Sequence, residues 1–393
     1  MRVLQIVNVG FEAGGAEKSV RIIAEGLRAR GHEVRVLATD HLLDEDKACF
    51  ADEVVPAVRG GAAARLAGYF WNRPAYTRTR RLIADFRPDC VHLHTIGEFS
   101  PAVLAATRSL PRVLTVHGPE DWTLELLRWN LPSASGGALS MPDRAHYLYL
   151  RFLQRPAYLL WLRRIDRIIA PSGYFAEAVR RDAGRVPVCV LANGVEEMPG
   201  EETAQADGPG PSDGDLVLCV GRLVAVKGVH ILVAAVRQLH ERGVKVRLGI
   251  VGDGPEREGL ERSAADLVEA GVVRFHGWQA PESVRSMMSR AAAVAIPSLW
   301  PENFPTVALE ALLLGRPLVA SRVGGLPELV GEDNGVLVEA GDRDQLARAL
   351  ESVLGDEALQ ARLGRGSRAR AGQYEVPRFL DRIIDCYREI SDR

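Results

Sequence analysis

In PENFPTVALEALLLGRP, residues 301–317, Glu302 stands before an apolar helix-like run and Glu310 stands inside it. A helix start carries unpaired N–H groups and the positive end of a dipole, so it is a natural seat for an anion. Carboxylates there would repel a phosphate and must serve another purpose. The spacing alone carries little, since about one or two such glutamate pairs arise by chance in a chain of ordinary composition. Cations that an anion would need occur upstream in VGRLVAVKG, where Arg222 and Lys227 lie just past an apolar strand-like run. A guanidinium with paired hydrogen bonds and a compact ammonium suit a diphosphate. The loop is not a Walker A motif, because Lys227 precedes its glycine and no Ser or Thr follows the lysine. Solvated surface charges would be spelled the same way.

Further candidates lie in other loops. Gly10 to Gly15 follow a strand and open a helix, but do not spell G-x-G-x-x-G. They could admit close backbone approach of a ligand or serve a tight turn needing positive φ. GIVGDGPE, with Gly252, could line a ligand cleft or turn the chain. RFHGWQ could offer backbone groups and the Trp278 ring to a base, buried aromatic packing being the plainer expectation. His117, in LTVHGPE, could donate to a hydroxyl or carry a proton, or be a satisfied structural residue. His92 and His94 share one face of a strand, and no third ligand is spaced to make them a metal site. Two D-x-D triplets, 44–46 and 342–344, read as accidental polar segments.

The elements that would hold these residues alternate along the chain. RVLQIV leads through GFEAGGA into an amphipathic helix and then HEVRVLA; DCVHLH, RVLTVHG and DRIIAPS follow. This βαβ rhythm predicts a parallel sheet covered on both faces. After MPGEETAQADGPGPSDGD, rich in Pro, Gly and acids, it restarts with LVLCVGR. The reading is α/β, with two Rossmann-like doubly wound domains facing a cleft at the carboxyl ends of their strands. Residues 1–190 form the first domain, 191–213 a linker, 214–372 the second domain and 373–393 a terminal amphipathic helix able to pack on either.

Bulk properties narrow the classes. The 393 residues suffice for two cores, and 47% hydrophobic with 25% charged residues is ordinary for a globular chain. A net charge of −2 argues against a nucleic-acid protein with a global basic footprint. The start MRVLQIVNVGFEAGG reads as a strand and not as a signal peptide, and no run of 18 apolar residues would cross a membrane. Five scattered cysteines, four in apolar segments, read as reduced core residues. A cytoplasmic location follows as the expectation. YLYLRFLQRPAYLLWLRRIDR could touch anionic lipid at the inner membrane face, or bury its apolar side while its arginines snorkel, which is the expectation adopted.

The set GGAEKSV, VHLH, LTVHG, IIAPSGYFAEAV, LANGVE, CVGRLVAVKG, IVGDGPE, FHGW, AIPSLWPENFPTVALEALLLGRPLVAS, VGGLPELV and NGVLVEAGD resembles, in order and over nearly the whole chain, family-four retaining glycosyltransferases of the GT-B fold. Residues 40–80 and 119–160 are the least similar. The resemblance implies that Arg222 and Lys227 bind a donor diphosphate and Glu310 accepts from ribose hydroxyls. It implies that Glu302 orients the donor sugar, with backbone groups of Asn303, Phe304 and Thr306, and that His117 hydrogen-bonds that sugar. Gly14 and Gly15 would close over the diphosphate or acceptor, with Gly221, Gly252, His276 and Gly277 completing the donor-binding set. His117, Arg222, Lys227 and Glu302 would be the catalytic residues. The co-substrate would be a nucleotide-diphosphate sugar, with no obligatory metal, and the acceptor a small molecule, glycan or lipid-linked hydroxyl. Another GT-B activity, such as a phosphorylase or epimerase, or a non-catalytic nucleotide-sugar-binding subunit, are the alternatives.

Overall fold

Continuous apolar runs become strands wherever both sheet faces are covered. Cys90–Leu93, Arg112–Thr115, Ala291–Ile296 and Leu318–Ser321 are buried at every position, as a parallel sheet between helical layers requires. The structure, a computed structural model, describes residues 1–43, 48–59, 68, 71–117, 141, 144, 147–148, 151–152, 155–196 and 212–391. They fall into two units, Met1–Gly194 with Val376–Arg393, and Val195–Glu375.

The first unit carries β1 (Arg2–Val9), β2 (Glu33–Thr39), β3 (Glu53–Val55), β4 (Cys90–Leu93), β5 (Arg112–Thr115), β6 (Arg167–Ala170) and β7 (Val188–Val190). They pair in the order β3-β2-β1-β4-β5-β6-β7, every pair parallel. Alternation along the strands sends Leu4, Ile6, Val91 and Leu93 to one core, with Leu82, Phe99 and Leu162 from helices. Val3, Val7, Cys90 and Val113 go to the other, under Val20, Ile23 and Leu27 of helix Gly15–Ala29. The same face receives Phe379, Ile383, Tyr387 and Ile390 of helix Val376–Ser391. Their spacing of four, four and three residues forms one apolar stripe. Gly26 makes room for it, since a Cβ there would lie 2.3 Å from Leu380 Cδ1. At the rim, Cys189 and Cys386 bring their thiols to 3.9 Å.

The second unit carries β8 (Asp213–Val220), β9 (Arg247–Val251), β10 (Val273–Gly277), β11 (Ala291–Ile296), β12 (Leu318–Ser321) and β13 (Gly335–Val338). Their order is β10-β9-β8-β11-β12-β13, again all parallel. Both sheets reverse direction of strand order next to their first strand, between β1 and β4 and between β8 and β11. In open α/β sheets that reversal marks where ligands bind, beyond the carboxyl ends of the strands.

The arginine-flanked segment around residues 147–167 divides. Leu159 and Leu162 pack on the core, whereas Leu148, Phe152 and Leu160 are exposed, Leu160 by 65%. The expected burial therefore holds for part of the segment only, because one face of helix Arg155–Leu162 meets the sheet layer and the other meets solvent. Among the described residues no helix is long and apolar enough to cross a membrane.

Candidate active site

At the switch point of the second unit, glycines let three loops lie against one another. Gly228 has φ +67°, and a Cβ there would lie 2.0 Å from the Pro297 carbonyl oxygen. Leu299 N–H donates to Val226 O across the same contact, 2.8 Å. Gly252, φ +130°, presses on the Gly221 carbonyl, where a Cβ would come within 2.0 Å. Leu223 N–H donates to Asp253 O, and Glu256 N–H to Leu223 O. Residues 221–228 are thus held between the loops that follow β9 and β11.

This packing sets the charged groups. Lys227, at the end of the 3₁₀ turn Ala225–Lys227, donates from Nζ to Glu302 Oε1 at 2.6 Å. Ser298 Oγ donates to the same oxygen at 2.5 Å. No described residue bonds Oε2 of Glu302. The Glu302 side chain is 7% exposed, so neutralisation of its carboxylate by Lys227 offsets a large desolvation cost. Gly324, φ +57°, sits so close behind that a Cβ would meet Glu302 O at 2.1 Å, and Gly325 N–H donates to that carbonyl. Helix Thr306–Leu313 begins two residues after the buried pair Asn303 and Phe304, with no side-chain cap on its first N–H groups. Thr306 and Glu310, one turn apart, share a face of it. Arg222 is exposed and has no ion-pair partner among the described residues.

Sequence reasoning set the cations on an anion and the acids on hydroxyls, as separate teams; the structure pairs Lys227 with Glu302. An ammonium has three donors, so one bond to Oε1 leaves two for another ligand. Ser298 went unnoticed in the sequence, where a serine four residues before a glutamate carries no signal. His276 lies in β10 with its imidazole against Gly249, lining a cavity of about 350 Å³ with Arg247, Arg274 and Arg290. Gly277 O accepts from Gly252 N–H at 2.8 Å. Trp278 is 74% exposed, which overturns the packing expectation: it follows Gly277, φ +66°, where the chain leaves the sheet. Asp342 of the second D-x-D triplet caps helix Arg343–Leu354 by accepting from Gln345 N–H. The first triplet lies outside the described residues.

In the first unit the loop glycines do not serve a positive-φ turn. Gly10, Gly14 and Gly15 are absent from that region of backbone space. Gly10 is small because a Cβ would meet Ala51 Cβ and Cys49 Sγ at 3.0 Å, while at Gly14 it would meet nothing nearer than Glu17 Oε2 at 3.6 Å. Packing therefore does not demand Gly14.

Three histidines gather around the carboxyl ends of β4 and β5. His92 is saturated, Nδ1 with Tyr387 Oη and Nε2 with Thr115 Oγ1, both 2.7 Å. The His94 ring lies 4.0 Å from it, centroid to centroid and tilted by 39°, and its Nδ1 lies 3.0 Å from His117 Nε2. Burial lowers the pKa of each: His92 to about 3, His117 to about 4 and His94 well below its ordinary value. All three are neutral at pH 7.

Acid stability should follow from the two fully buried rings. Their folded pKa values lie below the unfolded value, so between the two the unfolded chain binds more protons. Their stabilising contribution is complete above about pH 6.5 and declines toward pH 3. Urea unfolding measured at successive pH values should lose up to about 1.4 kcal/mol per pH unit for each ring. A flat profile from pH 6.5 to 4.5 would contradict the burial described.

Comparisons with known proteins bear on the whole chain. A family model described as "Glycosyl transferases group 1" matches residues 201–370, and one described as "Glycosyltransferase Family 4" matches residues 13–197. A glycogen synthase of Mycobacterium tuberculosis is 30% identical over 91% of this chain and 86% of its own length. A phosphatidyl-myo-inositol mannosyltransferase of Mycolicibacterium smegmatis is 30% identical over 100% of this chain and 94% of its own. Among solved structures, a sucrose-phosphate synthase from Thermosynechococcus elongatus superposes with a TM-score of 0.74 at 21% identity, covering 99% of this chain and 98% of that one. HepE from Anabaena, solved in complex with UDP, gives 0.70 at 22% identity over 99% and 100%. At these identities the structures speak for the fold.

Proposed function

This chain belongs to the group 1 glycosyltransferases, family four, and is an enzyme that transfers glycosyl groups; from that premise we propose that it moves a hexosyl group from a nucleotide-diphosphate sugar to a hydroxyl acceptor, with retention at the anomeric carbon and without an obligatory metal. The observation that carries the reading is the cluster Lys227, Glu302 and Ser298 at the β8/β11 switch point. Lys227 and Ser298 fix one carboxylate oxygen of Glu302, which aims the other at a sugar hydroxyl. An ionised acceptor of that kind binds a hydroxyl more strongly than a neutral group does. Arg222, the remaining Lys227 donors and the first N–H groups of helix Thr306–Leu313 take the diphosphate. Glu310 takes the ribose hydroxyls, and His117 an oxygen of the donor sugar.

In the step itself the bond from the anomeric carbon to the diphosphate oxygen breaks and a bond to the acceptor oxygen forms on the same face. The acceptor's proton passes to a donor phosphate oxygen. Negative charge gathers on the leaving diphosphate, where preorganised cations and amides stabilise it without reorganisation. Arg222 and Lys227 supply there the positive charge that a divalent ion brings elsewhere. UDP in the solved relative makes a uridine donor the first to try.

A panel of UDP-, GDP- and dTDP-sugars tests the proposal. The true donor raises the melting temperature by mass action, and Glu310→Ala weakens its binding in calorimetry by about tenfold or more. NMR of the product should show the donor's anomeric configuration, with turnover unchanged by EDTA. Wild-type donor affinity in Glu310→Ala would remove that residue from the site.

A further inference from the structure

His94 has one ring nitrogen with a partner and one without. Nδ1 faces His117 Nε2 at 3.0 Å, the rings inclined by 25°. Nε2 is buried and meets no hydrogen-bond partner among the described residues. His92 cannot serve it, since both its nitrogens are engaged. The Gln5 amide, in register with His92 on the neighbouring strand, does not reach it either, for its own two polar atoms make no bond.

A neutral imidazole carries one proton, so only two arrangements close the contact. If His117 donates from Nε2, His94 must hold its proton on Nε2, burying an N–H without an acceptor. If His94 donates from Nδ1, the atom left alone is a bare lone pair. Among buried backbone groups an orphaned N–H is rarer than an under-satisfied acceptor, and a buried imidazole faces the same balance. We propose that His94 is a positioning residue that donates Nδ1–H to Nε2 of His117 and so fixes His117 in the tautomer protonated on Nδ1. His117 then offers a hydrogen bond to a substrate oxygen, and its only basic nitrogen is occupied. It steadies the sugar and does not abstract the acceptor's proton. The functional consequence rests on the sugar-transfer reading above; the tautomer does not.

Two measurements separate them. Long-range ¹H–¹⁵N spectra of the full chain labelled with [¹⁵N]histidine, assigned with His117→Gln and His94→Gln, should show both rings protonated on Nδ1 at neutral pH. His117 protonated on Nε2 would overturn the proposal whether or not the chain transfers sugar. In turnover, His94→Phe should lower kcat/KM about tenfold, and His94→Asn, which keeps an N–H near the Nδ1 position, should recover most of it. Unaltered kcat/KM in a folded His94→Phe would remove the positioning role while leaving the proposed function standing. If His94→Phe does not fold, as circular dichroism would reveal, the wild-type spectrum decides.

Discussion

Lys227→Ala is expected to lower kcat/KM by about 10²–10³-fold, the usual cost of removing a preorganised group that stabilises developing charge. It should also weaken the fold by about 3–5 kcal/mol, because Glu302 would remain as a buried, uncompensated carboxylate. The two effects separate in a double variant. Lys227→Met with Glu302→Gln removes both charges, so urea unfolding should return close to wild type while turnover stays lost. A stability coupling of 1 kcal/mol or more between the positions, of the order found for contacting charges, would establish the pair. Full donor affinity in Lys227→Ala would remove the lysine from the site.

Gly228→Ala should be nearly as damaging, for a steric reason. Its Cβ would lie 2.0 Å from the Pro297 oxygen and 3.0 Å from its carbon, both backbone atoms that cannot rotate away. The loops after β8 and β11 would have to part, breaking the Leu299–Val226 hydrogen bond and drawing Lys227 from Glu302. Loss of about 3 kcal/mol or more in thermal or urea unfolding is expected, together with loss of turnover. Gly243→Ala is the matched control. It shares the positive φ, +75°, but a Cβ there meets nothing within 4 Å, so only the left-handed backbone strain of about 1–2 kcal/mol should appear. Equal effects at the two sites would show that the loop contact is not what Gly228 protects.

The α/β class and the two Rossmann-like domains were legible in the sequence because a buried parallel strand must be apolar throughout and each must be followed by a crossover. CVHL, AAAVAI and LVAS announce this without help. The ordered motifs likewise carry the family resemblance without reference to the fold. Trp278 was misread because an aromatic ring in a strand-like run has no local mark of whether the chain turns beneath it. The glycines of residues 10–15 were open to a turn reading for a similar reason: φ is set by what the loop packs against.

Local spelling thus determined which residues carry charge, where strands end, and therefore which side chains could gather at a carboxyl edge. Tertiary structure decided the pairings. Glu302 and Lys227 are 75 residues apart, and His92 meets Tyr387 across 295; hydrogen-bond partners at such separations leave no periodic trace in the chain. Strand order set them side by side, and glycines without a Cβ let the backbones come close enough to finish the contact.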